Sequence, residues 1–372
     1  MTSFEDLYIP EDTISRLNEE GITDPTDVQE KSIPLIFAGN DVMVESETGS
    51  GKTLAFGLPM MKKVSGNKTQ ALILCPTREL AKQVNKEFEK FGGENTETVV
   101  IYGGVSYDPQ IEGAKTANII VGTPGRVLDL FKQGKIEADQ LKYFVLDEAD
   151  KMMDMGFQDE LENIMSFLPD EKQHLLFSAT IPRELRKMCD RYDINPETVR
   201  IEQSKHTRNL DEKYIDVGEH EKLSALVTLL KDRDRDLSLV FCRTKATTRW
   251  VTKALEKNGF NAATLNGDMS QHQREKTVQE FKDRDVKVIV ATDVAARGIH
   301  VDNITHVFNY DVPDTADTYT HRVGRAGRQG NKGEAITLLE NDDHNTFRQI
   351  KRKKDGIKRF GRDMEFQRVK TP

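Results

Sequence analysis

Short apolar runs recur along the chain, and between them lie segments whose apolar residues return every three or four positions. In the first half the runs are DVMVES, ALILCP, TVVIYGG, NIIVGTP, YFVLDEAD, HLLFSAT and TVRIEQ. Each predicts a strand, because Val, Ile and Leu suit a pleated backbone and most runs end in Gly, Pro, Ser or Thr. RELAKQVNKEFEKF and FQDELENIMSFL carry the helical period between them. Such alternation predicts a mostly parallel sheet flanked by helices, with ligands at the carboxyl ends of the strands. Around IEQSKHTRNLDEKY (201–214) the pattern lapses, then resumes with LSLVFC, AATLNG, VKVIVATD, THVFNY and EAITLLE. The expectation is two tandem α/β domains, over 1–203 and 210–350. A linker over 204–209 joins them, and a basic tail covers 351–372.

Composition narrows the class. The 372 residues are 37% hydrophobic and 31% charged, as in a globular protein of two domains. The apolar runs are strand-sized, far short of the ~20 residues of a membrane helix. The acidic start MTSFEDLYIPED lacks a signal peptide's pattern. A cytoplasmic protein with no membrane association is expected. Cys75, Cys189 and Cys242 follow no metal-ligand spacing and read as buried thiols. A net charge of −8 argues weakly against nucleic acid, but KRKKDGIKRFGRDMEFQRVK at the end is basic. Phe347, Ile350, Ile357 and Phe360 recur there at helical spacing, so the first half of the tail is expected to pack, leaving a cationic remainder.

Two stretches carry chemistry. VMVESETGSGKTLAF is a strand, a glycine-rich turn and a helix start. In Ser46-Glu47-Thr48-Gly49-Ser50-Gly51, Gly49 and Gly51 let backbone N–H groups face phosphate oxygens, and the helix N-terminus adds partial positive charge. Lys52 would reach the β- and γ-phosphates and Thr53 would ligate Mg²⁺. Ser46 stands where a strict phosphate loop has Gly, and a turn that binds nothing is the alternative. YFVLDEAD places Asp147, Glu148 and Asp150 at the mouth of an apolar strand, beside that loop in a parallel sheet. Asp147 is then a second Mg²⁺ anchor, through water, and Glu148 can deprotonate the attacking water. Asp150 is assigned to contacts between motifs.

TGSGKT, PTRELA, DEAD, SAT and HRVGRAGR, in this order, resemble the DEAD-box RNA helicase family from Phe4 to about Glu340. The resemblance implies two tandem RecA-like domains, ATP and Mg²⁺ as cofactors, and single-stranded or short-duplex RNA as partner. Gln29 of GITDPTDVQ would hydrogen-bond adenine, with Phe4 packed on the base. Ile22 replaces the aromatic residue usual there. RNA contacts would come from Pro76, Thr77 and Arg78, from Gly103 and Gly104, and from Thr123, Pro124, Gly125 and Arg126. Read alone, PTREL is only a helix start and TPGR only a turn. In the second domain Arg243, Thr244, Gln271, Arg274 and Thr292 match RNA-contact or interdomain positions. Arg325 and Arg328 of HRVGRAGR, on one face if locally helical, would act as arginine fingers; a surface basic patch is the plain alternative. Gly298 and His300 fall in the nucleotide segment, where His300 replaces an Asp that contacts ribose. A neutral imidazole accepts a hydrogen bond and a protonated one does not. Ser178, Thr180, Asp293 and His321 join Asp150 in coupling the domains. The expected activity is RNA-dependent ATP hydrolysis with local unwinding, by a monomer with possible protein cofactors. An ATP-gated RNA clamp and a DNA translocase are the alternatives.

Overall fold

The computed structural model describes residues 2–46, 49–201, 210–231, 237–296, 301, 304–327, 332–361, 364, 366 and 369–372, without the side chains of Gln271 and Asp317. The chain divides into two compact units, Met1–Ser204 and Lys205–Pro372.

The first unit holds seven strands: β1 (Val42–Glu45), β2 (Ala71–Leu74), β3 (Thr98–Ile101), β4 (Ile119–Gly122), β5 (Tyr143–Asp147), β6 (Gln173–Ser178) and β7 (Glu197–Arg200). They form one parallel sheet in the order β3-β4-β2-β5-β6-β1-β7. Alternate residues feed two cores. Val44, Ile73, Val121, Val145 and Phe177 enter one cluster. Met43, Leu72, Ile120, Phe144 and Leu176 enter the other. Helices bury both faces of the inner strands, which is why β2, β4 and β5 are almost continuously apolar, while edge strand β7 is largely exposed.

The second unit repeats the plan with β8 (Leu210–Asp216), β9 (Leu237–Phe241), β10 (Ala262–Leu265), β11 (Val288–Ala291), β12 (Ile304–Asn309), β13 (Gly333–Leu339) and β14 (Lys358–Arg359). The order is β10-β11-β9-β12-β13-β8-β14, again parallel. Two of these strands have no counterpart in the apolar pattern. β8 (LDEKYID) looks polar because it lies near the sheet's margin, with Ile215 its one fully buried apolar side chain. β14 is two residues long and pairs only with β8. All three cysteines are buried free thiols. Among the described residues no helix is long and apolar enough to cross a membrane.

The tail differs from expectation. Phe347 and Ile350 are buried on the helix His344–Lys353, but that helix ends before Ile357 and Phe360. The chain instead turns into β14, and Phe360, Met364, Phe366 and Val369 pack on the core around Ile215, Val251 and Leu255. Asn258 then clamps Lys370 twice, donating to its carbonyl at 2.8 Å and accepting its N–H at 3.2 Å. The part read as a cationic remainder therefore contributes apolar packing. Removing residues 358–372 should cost about 2–4 kcal/mol, since several partly buried large side chains go together. Denaturant unfolding of the full and shortened chains checks this, and equal midpoints would show that the tail is not structural.

Candidate active site

Strand order gathers the chemistry of the first unit. β6 lies between β1 and β5, pairing Glu45 with Ser178 and Asp147 with Phe177. The phosphate loop, SAT and DEAD therefore emerge from three adjacent strand ends. β2, β4 and β3 lie on the other side of β5 and bring PTREL, TPGR and the Gly103–Gly104 pair to one edge.

In the loop, Gly49 and Gly51 have φ of 83° and 90°, a backbone that side chains with a Cβ rarely adopt. Ser46 N–H donates to Ser178 O at 2.9 Å, and Ser46 Oγ lies 3.0 Å from Ser50 Oγ. The residue that departs from the strict pattern thus bridges the loop. Lys52 opens the helix Lys52–Lys63, and its ammonium donates to Ser46 O at 2.7 Å. Glu47 and Thr48 lie outside the described residues. Thr53 follows Lys52 in the first helical turn.

Gln29 grips this loop from beneath. Its Nε2 donates to Gly51 O at 3.1 Å, its Oε1 accepts from Thr26 N–H at 3.0 Å, and Thr26 Oγ1 donates to Ser50 O at 2.8 Å. A methyl group on Gly51 would come within 2.6 Å of Gln29 Nε2. Gln29 is fully buried with its amide engaged inside the protein. Phe4 belongs to the apolar core with Leu7, Leu17 and Val28, its ring enclosed by protein.

At the end of β5, Glu148 has φ 54° and ψ 49°, left-handed for a residue with a side chain. The helix Ala149–Asp154 starts from that kink. Asp147, Glu148 and Asp150 are all buried. Burial first, and the neighbouring Glu148 second, push Asp147 up to about 7, against the pull of Lys52 and Lys151. Asp147 Oδ1 is buried and meets no hydrogen-bond donor among the described residues. Burial and the same carboxylates push the Cys75 thiol up. Asp150 is fully used within the unit: its N–H donates to Ser178 Oγ at 3.0 Å, and Oδ2 accepts from Thr180 N–H at 3.1 Å. DEAD and SAT are thus brought together.

On the other edge, Thr77 Oγ1 accepts from Leu80 N–H at 3.2 Å and caps the helix Arg78–Phe91. Pro124 and Gly125 open the helix Pro124–Lys132 after Thr123. The Arg78 guanidinium lies over Gly103 and Gly104, where a methyl on Gly104 would come 2.5 Å from Nη1. Arg126 donates to Val105 O at 3.1 and 3.2 Å and stacks 3.8 Å from the Tyr107 ring centroid.

In the second unit, Arg243 N–H donates to Asp311 Oδ2 at 2.7 Å, and Thr244 Oγ1 caps the helix Lys245–Lys257. Gln271 begins the helix Gln271–Lys282, from which Arg274 Nη2 donates to Ala295 O at 2.7 Å. Thr292, buried, follows β11. Asp293 is held by Arg322, Nε to Oδ1 at 2.6 Å and Nη2 to Oδ2 at 2.8 Å. Arg322 also donates to Asp311 O at 2.6 Å and lies over the Phe241 ring. His321 is in the helix Ala316–Val323. Arg325 is buried and lies beyond that helix. Gly298, His300 and Arg328 lie outside the described residues. Sequence reasoning missed Lys151, Thr26 and Arg322. Arg322 had a signal as the first arginine of HRVGRAGR, and Thr26 had one as the capping threonine three residues before Gln29.

Two parallel-sheet units, the first with a glycine-rich turn beside an acidic strand end, define the class of tandem RecA-like proteins. Residues 26–188 match the DEAD/DEAH box helicase family and residues 221–330 the helicase conserved C-terminal domain. The chain is 41% identical to the ATP-dependent RNA helicase CshA of Listeria monocytogenes, over 91% of this chain and 66% of that protein. It is 41% identical to the DEAD-box ATP-dependent RNA helicase RhpA of Helicobacter pylori strain 26695, over 91% of this chain and 69% of RhpA. Among solved structures it resembles S. cerevisiae Dbp5 bound to RNA and ADP BeF3, at 29% identity and a TM-score of 0.88, over 98% of this chain and 96% of that one. The chain belongs to the DEAD-box ATP-dependent RNA helicase family.

The raised Asp147 has a measurable sign. Without metal or nucleotide, the folded protein holds a proton there between about pH 4 and 7 that the unfolded chain releases. Stability should fall as pH rises through that window. Asp147→Asn should flatten this slope, as read from denaturation midpoints across it. Identical slopes in both proteins would overturn the assignment.

Proposed function

We propose that the chain hydrolyses ATP in response to single-stranded RNA and uses the cycle to open short duplexes or remodel RNA–protein complexes. One observation carries the reading: a buried pair of carboxylates, one with an orphaned oxygen, stands across a single intervening strand from a phosphate-loop turn. Lys151 answers Glu148, and leaving the Asp147 oxygen buried without a partner costs stability, so that atom suits an added cation.

Lys52 would exchange Ser46 O for phosphate oxygens. Glu148 would take the proton of the attacking water as its oxygen bonds to the γ-phosphorus and the bond to the β–γ bridging oxygen breaks. Arg325 and Arg328 would supply charge to the transferring group. Thr53 and Asp147 would hold Mg²⁺, which when bound neutralises phosphate charge; a lone carboxylate fits a cation that keeps most of its waters. Arg78, Arg126, Arg243 and the two glycines would hold phosphates and sugars of one strand, positioning it without reading sequence. At about 1.4 kcal/mol per stacked step, opening five pairs takes about 7 kcal/mol, which sets a short, non-processive scale. Support for RNA comes from relatives named RNA helicases and from the RNA-bound Dbp5 neighbour. Magnesium, a cytoplasmic monomer and protein cofactors are parts of the same proposal, as are domain limits of 1–203 and 210–350.

The decisive experiment is the ATPase rate with and without single-stranded RNA, with DNA as control. Stimulation by RNA alone is expected, and equal rates in all three would refute the reading. Glu148→Gln should cost at least about 10²-fold in hydrolysis while keeping ATP-dependent RNA retention. Asp147→Asn should lose both. Arg325→Ala should slow hydrolysis by about 10³-fold or more and weaken ATP-dependent retention. Slow turnover with a long-lived RNA complex in the unaltered protein would make it a clamp.

A further inference from the structure

Lys151 carries its charge where water cannot reach it. Its side chain is 3% exposed and Nζ lies 2.6 Å from Oε1 of Glu148, whose side chain is 6% exposed. On an open helix face, a lysine three residues after a glutamate makes a weak, solvated pair. Here both ions are buried, and an ammonium taken out of water is tolerated only with a well-placed partner. The backbone fixes both ends of the pair. The left-handed conformation of Glu148 sets the direction of its side chain. Lys151 N–H donates to Glu148 O at 3.0 Å and to Asp150 Oδ1 at 3.0 Å, and Asp150 is itself braced by Ser178 and Thr180. The ammonium therefore stands on a rigid support and faces the carboxylate assigned as base.

We propose that Lys151 is a positioning residue for ATP hydrolysis: its ammonium holds the Glu148 carboxylate in the orientation from which it takes the proton of the attacking water. The inference rests on the assignment of Glu148 as base. Lys151 keeps its own proton throughout, and no bond to it forms or breaks. Methionine at 151 retains much of the bulk and removes the ammonium's contact with the carboxylate. Arginine keeps the charge.

The test compares single-turnover hydrolysis, ATP affinity, RNA retention and thermal midpoint for K151M, K151R, E148Q and K151M/E148Q. K151M should slow hydrolysis at least about tenfold, towards the roughly 10²-fold that a 1 Å misplacement costs, with ATP and RNA binding unchanged. K151R should recover most of the rate. K151M should add nothing to the rate defect of E148Q, and the thermal effects of the two should be non-additive. A wild-type rate in K151M, or RNA-independent hydrolysis faster than wild type, would overturn the proposal; the latter would make the pair a restraint on the base. So would defects that multiply in the double variant. If K151M does not fold, the double variant, which lacks both charges, carries the test: a rate equal to E148Q supports the proposal and a slower one refutes it. If E148Q itself hydrolyses ATP normally, the base assignment fails, a result distinct from a failure at Lys151 alone.

Discussion

Three carboxylates and two ammonium groups share the dry ends of β5 and β1, and the first unit is arranged around keeping them there. Asp150 is satisfied by local geometry, its Oδ2 accepting from the backbone N–H and the hydroxyl of Thr180. Glu148 is paired with Lys151. Asp147 keeps an oxygen without a donor and takes up a proton more readily than an ordinary aspartate. Satisfying two of the three and leaving the third under-satisfied concentrates the unmet demand for positive charge at one atom. Without the brace between DEAD and SAT, the kinked backbone at Glu148 would have little to hold it, since a left-handed residue with a side chain persists only when its surroundings over-determine it.

The sheet order turns this local balance into a division of labour. β5 is the middle strand of seven, with loop-bearing strands of one kind on each side. The edge formed by β2, β4 and β3 presents arginines and glycines, while the edge formed by β6 and β1 presents the turn and its lysine. Arg78 and Arg126 already lie against the Gly103–Gly104 turn and Tyr107, so that surface is assembled by protein contacts alone.

Much of this was legible in the sequence because strand and turn chemistry are local. The apolar runs of the inner strands β1, β2, β4, β5, β9 and β11 announce themselves, since burial on both faces demands Val, Ile and Leu at nearly every position. GSGKT and VLDEAD can be read for the same reason, a strand end followed by residues no core would choose. The remainder depends on partners distant in the chain. β8 alternates polar residues and is a strand only because β13 and β14 flank it. Arg322 is flagged by its place in HRVGRAGR, but its partner Asp293, 29 residues away, is visible only in the fold. Lys151 reads as a solvated charge, and only the fold removes its water. The helical spacing of Phe347 and Ile350 continues by chance to Ile357 and Phe360, where a strand pairing overrides it.

The fastening of Asp293 by Arg322 has a mechanical meaning. A bidentate pair, a third bond to the Asp311 carbonyl and an aromatic floor leave the guanidinium almost no slack. The segment after β11 and the helix bearing HRV are therefore one stiff piece rather than two springs in series. Any movement of Asp293 relative to that helix would have to break the ion pair or carry Arg322 along. A linkage without play transmits small strokes faithfully, and it does so only while its single rivet is intact.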